Sequence, residues 1–472
     1  MSDHRSISVF EIIKVGVGPS SSHTMGPWRA ALFFIEELAR KDLWQSLQRI
    51  EVILYGSLSK TGKGHGSDQA IIAGLHYKHF RIINRSEWIA LLEANKACHE
   101  IALPNGGHYK FNPEEDIIYS KETLPFHPNG MTFRAHTATD VYEHTYYSIG
   151  GGFVVSNASE EVGKNMVKTP FQCNSGDDAL RYCKQLNVSF VELIRANEHA
   201  WHNDKSIDNQ ALELWRVMKE TIYRGLLSSE EVLPGGLHVK RRAPLMLSKL
   251  MDLCPQSANE LFDHLKGQTF DFAQINTWVS TFALAVNEEN AGYGQIVTSP
   301  TNGASGVLPS VMAYAYCFLP NVSERDMIEC ILVAGEIGTY FKKGATISAA
   351  LGGCQAEIGV SSAMAAGALT SILGGSPYQI LAAAEMAMEH HLGLTCDPIG
   401  GLVQIPCIER NAMGASKAIT ASNLALNAED NTSKVSFDDV VRTMMEIAQN
   451  MSAKYKETSE GGLAISVATP EC

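Results

Sequence analysis

No run of Lys and Arg longer than Lys240-Arg241-Arg242 occurs in the 472 residues, and the formal net charge is −13. That argues against a nucleic-acid partner, because a phosphate backbone is gripped by a basic face. Closely paired cysteines are also missing. The ten cysteines are spread along the chain without a C-x-x-C pair or a ferredoxin-like run. A zinc ribbon and the dense disulfide framework of a small secreted domain are therefore not expected. The opening residues Met1-Ser2-Asp3-His4-Arg5-Ser6 carry no apolar stretch behind a basic one, so export is not expected and a reducing cytoplasm is. Internal repeats and low-complexity tracts are absent as well. Positions 358–380 lack any charged residue and by length alone could cross a bilayer. Pro377, Gln379, the Gly374-Gly375 break and the many hydroxyls favour a helix buried in a large helical domain, with no membrane partner.

What is present points to an α+β protein. At 45% hydrophobic the chain can bury several cores. The first 160 residues read as mixed α/β: a β-rich run at 50–55 stops at Gly56, and loops at 16–24 and 57–66 each lead into a helix, the first opened by Pro27. Gly150-Gly151-Gly152 reads as a turn between strands of this domain. Residues 161–205 are polar and read as a linker. From 206 to 462 apolar residues recur at helical spacing, as in 212–223, 272–286, 311–319 and 327–340.

Four groups of residues could carry chemistry. Cys354 sits in a Gly-Gly-Cys-Gln-Ala-Glu run, Cys396 begins an Asp-Pro-Ile-Gly-Gly loop, and Cys407 follows Pro406 at the start of a helix expected over 408–426. A helix N-terminus stabilises a thiolate, and three thiolates could hold an iron–sulfur cluster with one iron open. Three buried structural thiols are the alternative, and Cys98, Cys173, Cys183, Cys254, Cys317 and Cys330 read as structural. Ser20, Ser22, His23 and Thr24 lie in a hydroxyl-rich loop at a helix start, suited to a carboxylate or to ordinary capping. Thr301, Asn302 and Gly303 form a second small-residue loop, or a tight turn. His65, between Gly64 and Gly66, could serve as a base or stand exposed on its loop, and His127 occupies a similar loop. Lys240-Arg241-Arg242 reads as a solvated charge run unless an anionic cluster meets it. Cys472, the final residue, carries a thiol and a carboxylate and so resembles a tethered serine.

The Gly-Pro-Ser-Ser-Ser-His-Thr motif at 18–24, Gly-Lys-Gly-His-Gly-Ser-Asp at 62–68, Ser-Pro-Thr-Asn-Gly-Ala at 299–304 and the three cysteine loops together resemble the bacterial iron–sulfur L-serine dehydratases. The likeness is to the single-chain form, with β-type and α-type regions fused. It implies a [4Fe-4S] cluster held by Cys354, Cys396 and Cys407, and no pyridoxal phosphate. Conversion of L-serine to pyruvate and ammonia follows, in a homodimer. The resemblance also implies an allosteric-type N-terminal domain over 1–160, a cluster domain over 206–462 and a tail, 463–472, whose Cys472 fills the open iron until substrate arrives.

Serine needs a Lewis acid for its hydroxide and a base for its weakly acidic α-hydrogen. On this reading His65 takes the proton. Ser20, Ser22, His23, Thr24, Thr301, Asn302 and Gly303 hold carboxylate and amine. Two other readings stay open: a pyridoxal-phosphate dehydratase using Lys342 or Lys343, and a non-catalytic serine or redox sensor.

Overall fold

The computed structural model describes residues 6–103, 106–156, 160–161, 167–252, 255–430 and 433–467. Cys254 and Cys472 lie outside them.

The first strand, β1 (Lys14–Val17), leaves the N-terminal domain and pairs antiparallel with β10 (Gln295–Thr298), Lys14 opposite Thr298 and Val17 opposite Gln295. Ahead of it the short helix Val9–Ile12 packs on the long helix Glu324–Gly344, where Gly335 and Gly338 leave room for Val9 and Ile12. Residues 8–17 therefore belong physically to the helical region, although the domain read from the sequence runs unbroken from 1 to 160.

Among the described residues the N-terminal sheet has eight strands. Its path runs β3 (Glu100–Ala102), β4 (His108–Lys110), β2 (Leu47–Leu54), β6 (Gly130–Thr137), β7 (Val141–Ser148), β8 (Val154–Ser156) and β9 (Glu160–Glu161). The remaining strand, β5 (Ile117–Tyr119), lies parallel to β2, as does β4, while β6 and β7 continue antiparallel. Alternation decides its faces. Ile50, Val52 and Leu54 on β2 and Met131, Phe133 and Ala135 on β6 are buried against Phe34, Ile35, Ile71 and Leu75, from the helices Gly26–Arg40 and Ser67–Leu75. On the other face Arg134 pairs with Glu51 and Glu143. Gly150, Gly151 and Gly152 all have positive φ and make the β7–β8 turn. That turn also touches the helical region: a Cβ on Gly150 would come 2.6 Å from the Ile347 carbonyl.

The stretch 161–205, expected as a linker, carries two helices, Gly176–Leu186 and Phe190–Glu198. Ser175 caps the first, and Ser189 with Glu192 forms a capping box on the second. Both helices bury apolar residues, among them Ala179, Cys183, Phe190, Leu193 and Ile194, in the main core, so cohesion overrides the polar composition. The charge-free run resolves into the helix Ile358–Ile372, a break, and the helix Pro377–Glu389. Its hydroxyls are engaged by neighbours, Ser361 with the Ala304 carbonyl, Ser362 with the Gly414 carbonyl and Thr370 with Ser422. Gly367 lets Ile337 approach to where a Cβ would meet it at 2.2 Å. Among the described residues no helix is long and apolar enough to cross a membrane. Arg241 is buried and pairs with Glu230 and Glu289, while Arg242 pairs with Glu409. Arg241 is thus an internal tie, while Lys240 stays exposed as a solvated charge run would have it.

Candidate active site

The loop after β1 is wired before any ligand enters. Ser20 Oγ accepts the His23 backbone N–H at 3.1 Å, and Thr24 Oγ1 accepts the Ser20 N–H while donating to the His65 carbonyl at 2.7 Å. Hydrogen-bond direction then fixes the His23 tautomer. Ser57 Oγ donates to the Glu457 carbonyl at 2.7 Å, so it accepts from His23 Nε2 at 3.1 Å. Nδ1 is left to accept from Ser22 Oγ at 2.8 Å, and Ser20 Oγ lies 3.2 Å behind Ser22. The chain runs one way, hydroxyl to imidazole to hydroxyl to carbonyl.

His65, expected at a loosely packed loop, is 1% exposed and lies against His23 with ring centroids 4.6 Å apart. Its Nδ1 donates to the Thr61 carbonyl at 2.8 Å. Burial pushes its pKa down to about 4, partly offset by that bond. Burial, and then the neighbouring His65, holds His23 well below the usual imidazole range. His127 is buried as well, accepts the Asn129 N–H, and is pushed by burial to about 4.

On the opposite side stand the cysteines. Cys354 occupies a short 3-10 turn, Gly353–Ala356, entered through Gly353 at φ +70°. Cys407 opens the helix Cys407–Leu426. One sulfur each from Cys354 and Cys396 and one oxygen of Glu357 lie within 4.8 Å of one another. Cys407 falls outside that tight group but is close enough to feel charge on Cys354 and Glu357. A hydrogen bond from Cys396, with help from Arg410, draws the Cys354 thiol below the usual range. Giving that bond pushes Cys396 up, and burial pushes up Cys407. Three buried thiols and a half-buried carboxyl thus crowd together beside Arg410, and a positively charged metal centre would relieve the crowding. The donors are sulfur-rich, as an iron–sulfur cluster requires.

Two further loops close the site. The Asn302 side chain is spent on scaffolding: it donates to the Val17 carbonyl at 2.6 Å and accepts from Thr298 Oγ1 at 2.7 Å, tying β1 to β10. Thr301 lies beside Glu357, and a Cβ on Gly303 would meet Glu357 Oε2 at 3.0 Å. Asn411, which sequence reasoning passed over, donates to the carbonyls of Gly303 and Cys407, each at 2.8 Å.

The segment 453–463 then threads between the two halves. Cys396 N–H donates to the Tyr455 carbonyl and Glu457 N–H to the Cys396 carbonyl, at 2.8 and 2.9 Å. Ser459 Oγ reaches the Pro398 carbonyl, and Leu463 N–H donates to Asp397. This places Glu457 Oε1 3.4 Å from His23 Nδ1 and 3.8 Å from His65 Nε2. Burial, then Glu357 and Cys354, push the Glu457 carboxyl well above its usual range. With both imidazoles depressed, the three groups meet as neutral partners rather than as an ion pair. Lys342 and Lys343 are engaged elsewhere, Lys342 over the Phe153 ring and Lys343 on the Cys173 carbonyl. Of the residues read from the sequence, Ser20, Ser22, His23, Thr24 and His65 form one wall. Cys354, Cys396 and Cys407 form the other, and Thr301 and Gly303 flank Glu357. Cys472 lies outside the described residues.

Two family profiles cover this architecture. The one described as serine dehydratase beta chain matches residues 8–159, and the one described as serine dehydratase alpha chain matches residues 185–464. The chain is 43% identical to an L-serine dehydratase of Streptomyces coelicolor and 43% identical to L-serine dehydratase 1 of Escherichia coli, over 98% of this chain and 99% of each relative. An L-serine dehydratase of Haemophilus influenzae is 42% identical over the same shares. Both profiles are those of lyases. The chain belongs to the serine dehydratase family, with beta-type and alpha-type regions fused, as its motifs implied. That family is the iron–sulfur type of serine dehydratase.

Proposed function

We propose that the chain converts L-serine to pyruvate and ammonia in the recess between His65 and the three cysteine loops. Cys354, Cys396 and Cys407 would hold a [4Fe-4S] cluster, with the Cys472 thiol at the remaining position until substrate arrives. When bound, the cluster supplies a Lewis-acidic iron for the departing hydroxyl.

The protein's own part is a proton transfer at a buried imidazole. His65 Nε2 keeps a lone pair because Nδ1 is committed to Thr61, and it takes the α-proton. Ser22, Thr301 and the Gly303 backbone, with Ser20, His23, Thr24 and Asn302 behind them, orient carboxylate and amine. Released aminoacrylate tautomerises to an imine and hydrolyses in water. The observation that carries this reading is that Glu457, whose backbone is bonded to Cys396 of the thiol cluster, stands 3.8 Å from the His65 Nε2 lone pair. The same reading has the enzyme acting as a cytoplasmic homodimer without pyridoxal phosphate.

Protein purified without air is expected to contain iron and inorganic sulfide and to release pyruvate from L-serine, insensitive to borohydride. Protein free of sulfide, or inactivated by borohydride, would defeat it.

A further inference from the structure

Glu457 is a carboxyl without a cation. Its side chain is 5% exposed, and the titratable nitrogens within 4.0 Å of it among the described residues are those of His23 and His65. Oε2 has no hydrogen-bond partner among the described residues. A buried carboxyl oxygen left without a donor is costly, and a ligand that brings N–H donors to it removes that cost.

Its position says which donor. If His65 Nε2 receives the α-proton and the hydroxyl points toward the cysteines, the substrate's α-carbon lies between them. The ammonium nitrogen is one bond from that carbon, so its acceptor must stand beside Nε2. Glu457 does, and its backbone is fastened to Cys396 on the far side. We infer that the Glu457 carboxylate receives the α-ammonium group of the amino acid, and so separates amino acids from hydroxy acids of the same shape. This rests on the serine reading above, and it makes Glu457 a substrate-binding residue.

Two ligands that cannot both use the contact provide the test. L-Alanine carries the ammonium without the hydroxyl, and 3-hydroxypropanoate the hydroxyl without the ammonium. Glu457→Gln leaves both backbone bonds of residue 457 in place. Calorimetric titration of the full-length protein, purified without air, should show L-alanine binding weakened about tenfold to a hundredfold, the worth of one charge-assisted hydrogen bond. Binding of 3-hydroxypropanoate should stay within about threefold, because no charged contact is lost. Equal weakening of both ligands, unchanged L-alanine binding, or wild-type protein that binds no L-alanine would overturn the inference. Failure of the serine reading is seen separately, as wild-type protein that releases no pyruvate.

Discussion

His65 gives its Nδ1 hydrogen to the Thr61 carbonyl at 2.8 Å. A carbonyl only accepts, so this contact fixes the tautomer and leaves the Nε2 lone pair free, 3.8 Å from Glu457 Oε1. Since burial pushes the imidazole down to about 4, the lone pair is free at neutral pH. His65→Ala is expected to lower kcat by about 10² or more, the usual worth of a positioned base. Iron and sulfide content should not change. Turnover at the wild-type rate would remove this imidazole from the chemistry.

The cysteine wall makes a prediction that needs no turnover. Cys354→Ser, Cys396→Ser and Cys407→Ser should each lose most of the iron and inorganic sulfide of anaerobically purified protein, because each removes a thiolate donor. Cys183→Ser and Cys330→Ser, whose sulfurs sit in the apolar core, should retain both. Cys472→Ser should retain them too, but lose them faster in air and show a shorter activation lag. Full iron in all three variants of the wall would place the metal elsewhere.

Much of this site was readable because its motifs are local. Glycine-flanked Cys354, the Asp-Pro-Ile-Gly-Gly loop after Cys396 and His65 between two glycines each announce a backbone shaped for close approach. Glu357 and Arg410 carried a weaker signal: each stands three residues beyond a cysteine, about one helical turn. Glu457 carried none. It reaches His65 through a bridge between Cys396 and the segment around Tyr455, a pairing that no periodicity encodes. The β1–β10 pairing escaped for the same reason. Asn302 and Thr24 read as substrate contacts from their loops, while the structure engages the Thr24 hydroxyl with backbone and the Asn302 amide with the Val17 carbonyl and Thr298 Oγ1. The capping residues Ser175 and Ser189 were visible in the stretch taken for a linker, but its polar composition outweighed them.

The docking of that late segment depends on one glycine. Gly462 has φ +59°, and a Cβ there would come 2.1 Å from Asp397 Oδ2, the carboxylate that accepts the Leu463 N–H at 2.7 Å. Gly462→Ala is expected to loosen residues 453–463 at a cost of about 1–3 kcal/mol, the usual range for a strained backbone position. Hydrogen exchange should then speed up at the amides of Cys396 and Glu457. Unchanged exchange at both would show that the segment is held by other means.

Acid sensitivity can be assigned to a histidine away from the chemistry. His391 is 4% exposed, its Nδ1 donates to the Ala387 carbonyl at 2.6 Å, and burial pushes it down to about 4. The unfolded chain would titrate this group near 6.5. Between those values the unfolded state binds more protons, so stability is full above pH 6.5 and falls as pH drops toward 4. Integrated from pH 7 to pH 5, the loss is roughly 2 kcal/mol for this one residue. His391→Gln removes the titration while keeping an N–H donor, so its urea midpoint should fall less than that of wild type over the same interval. Equal falls would mean that the acid-labile proton sites lie elsewhere, with buried His127 the next to replace.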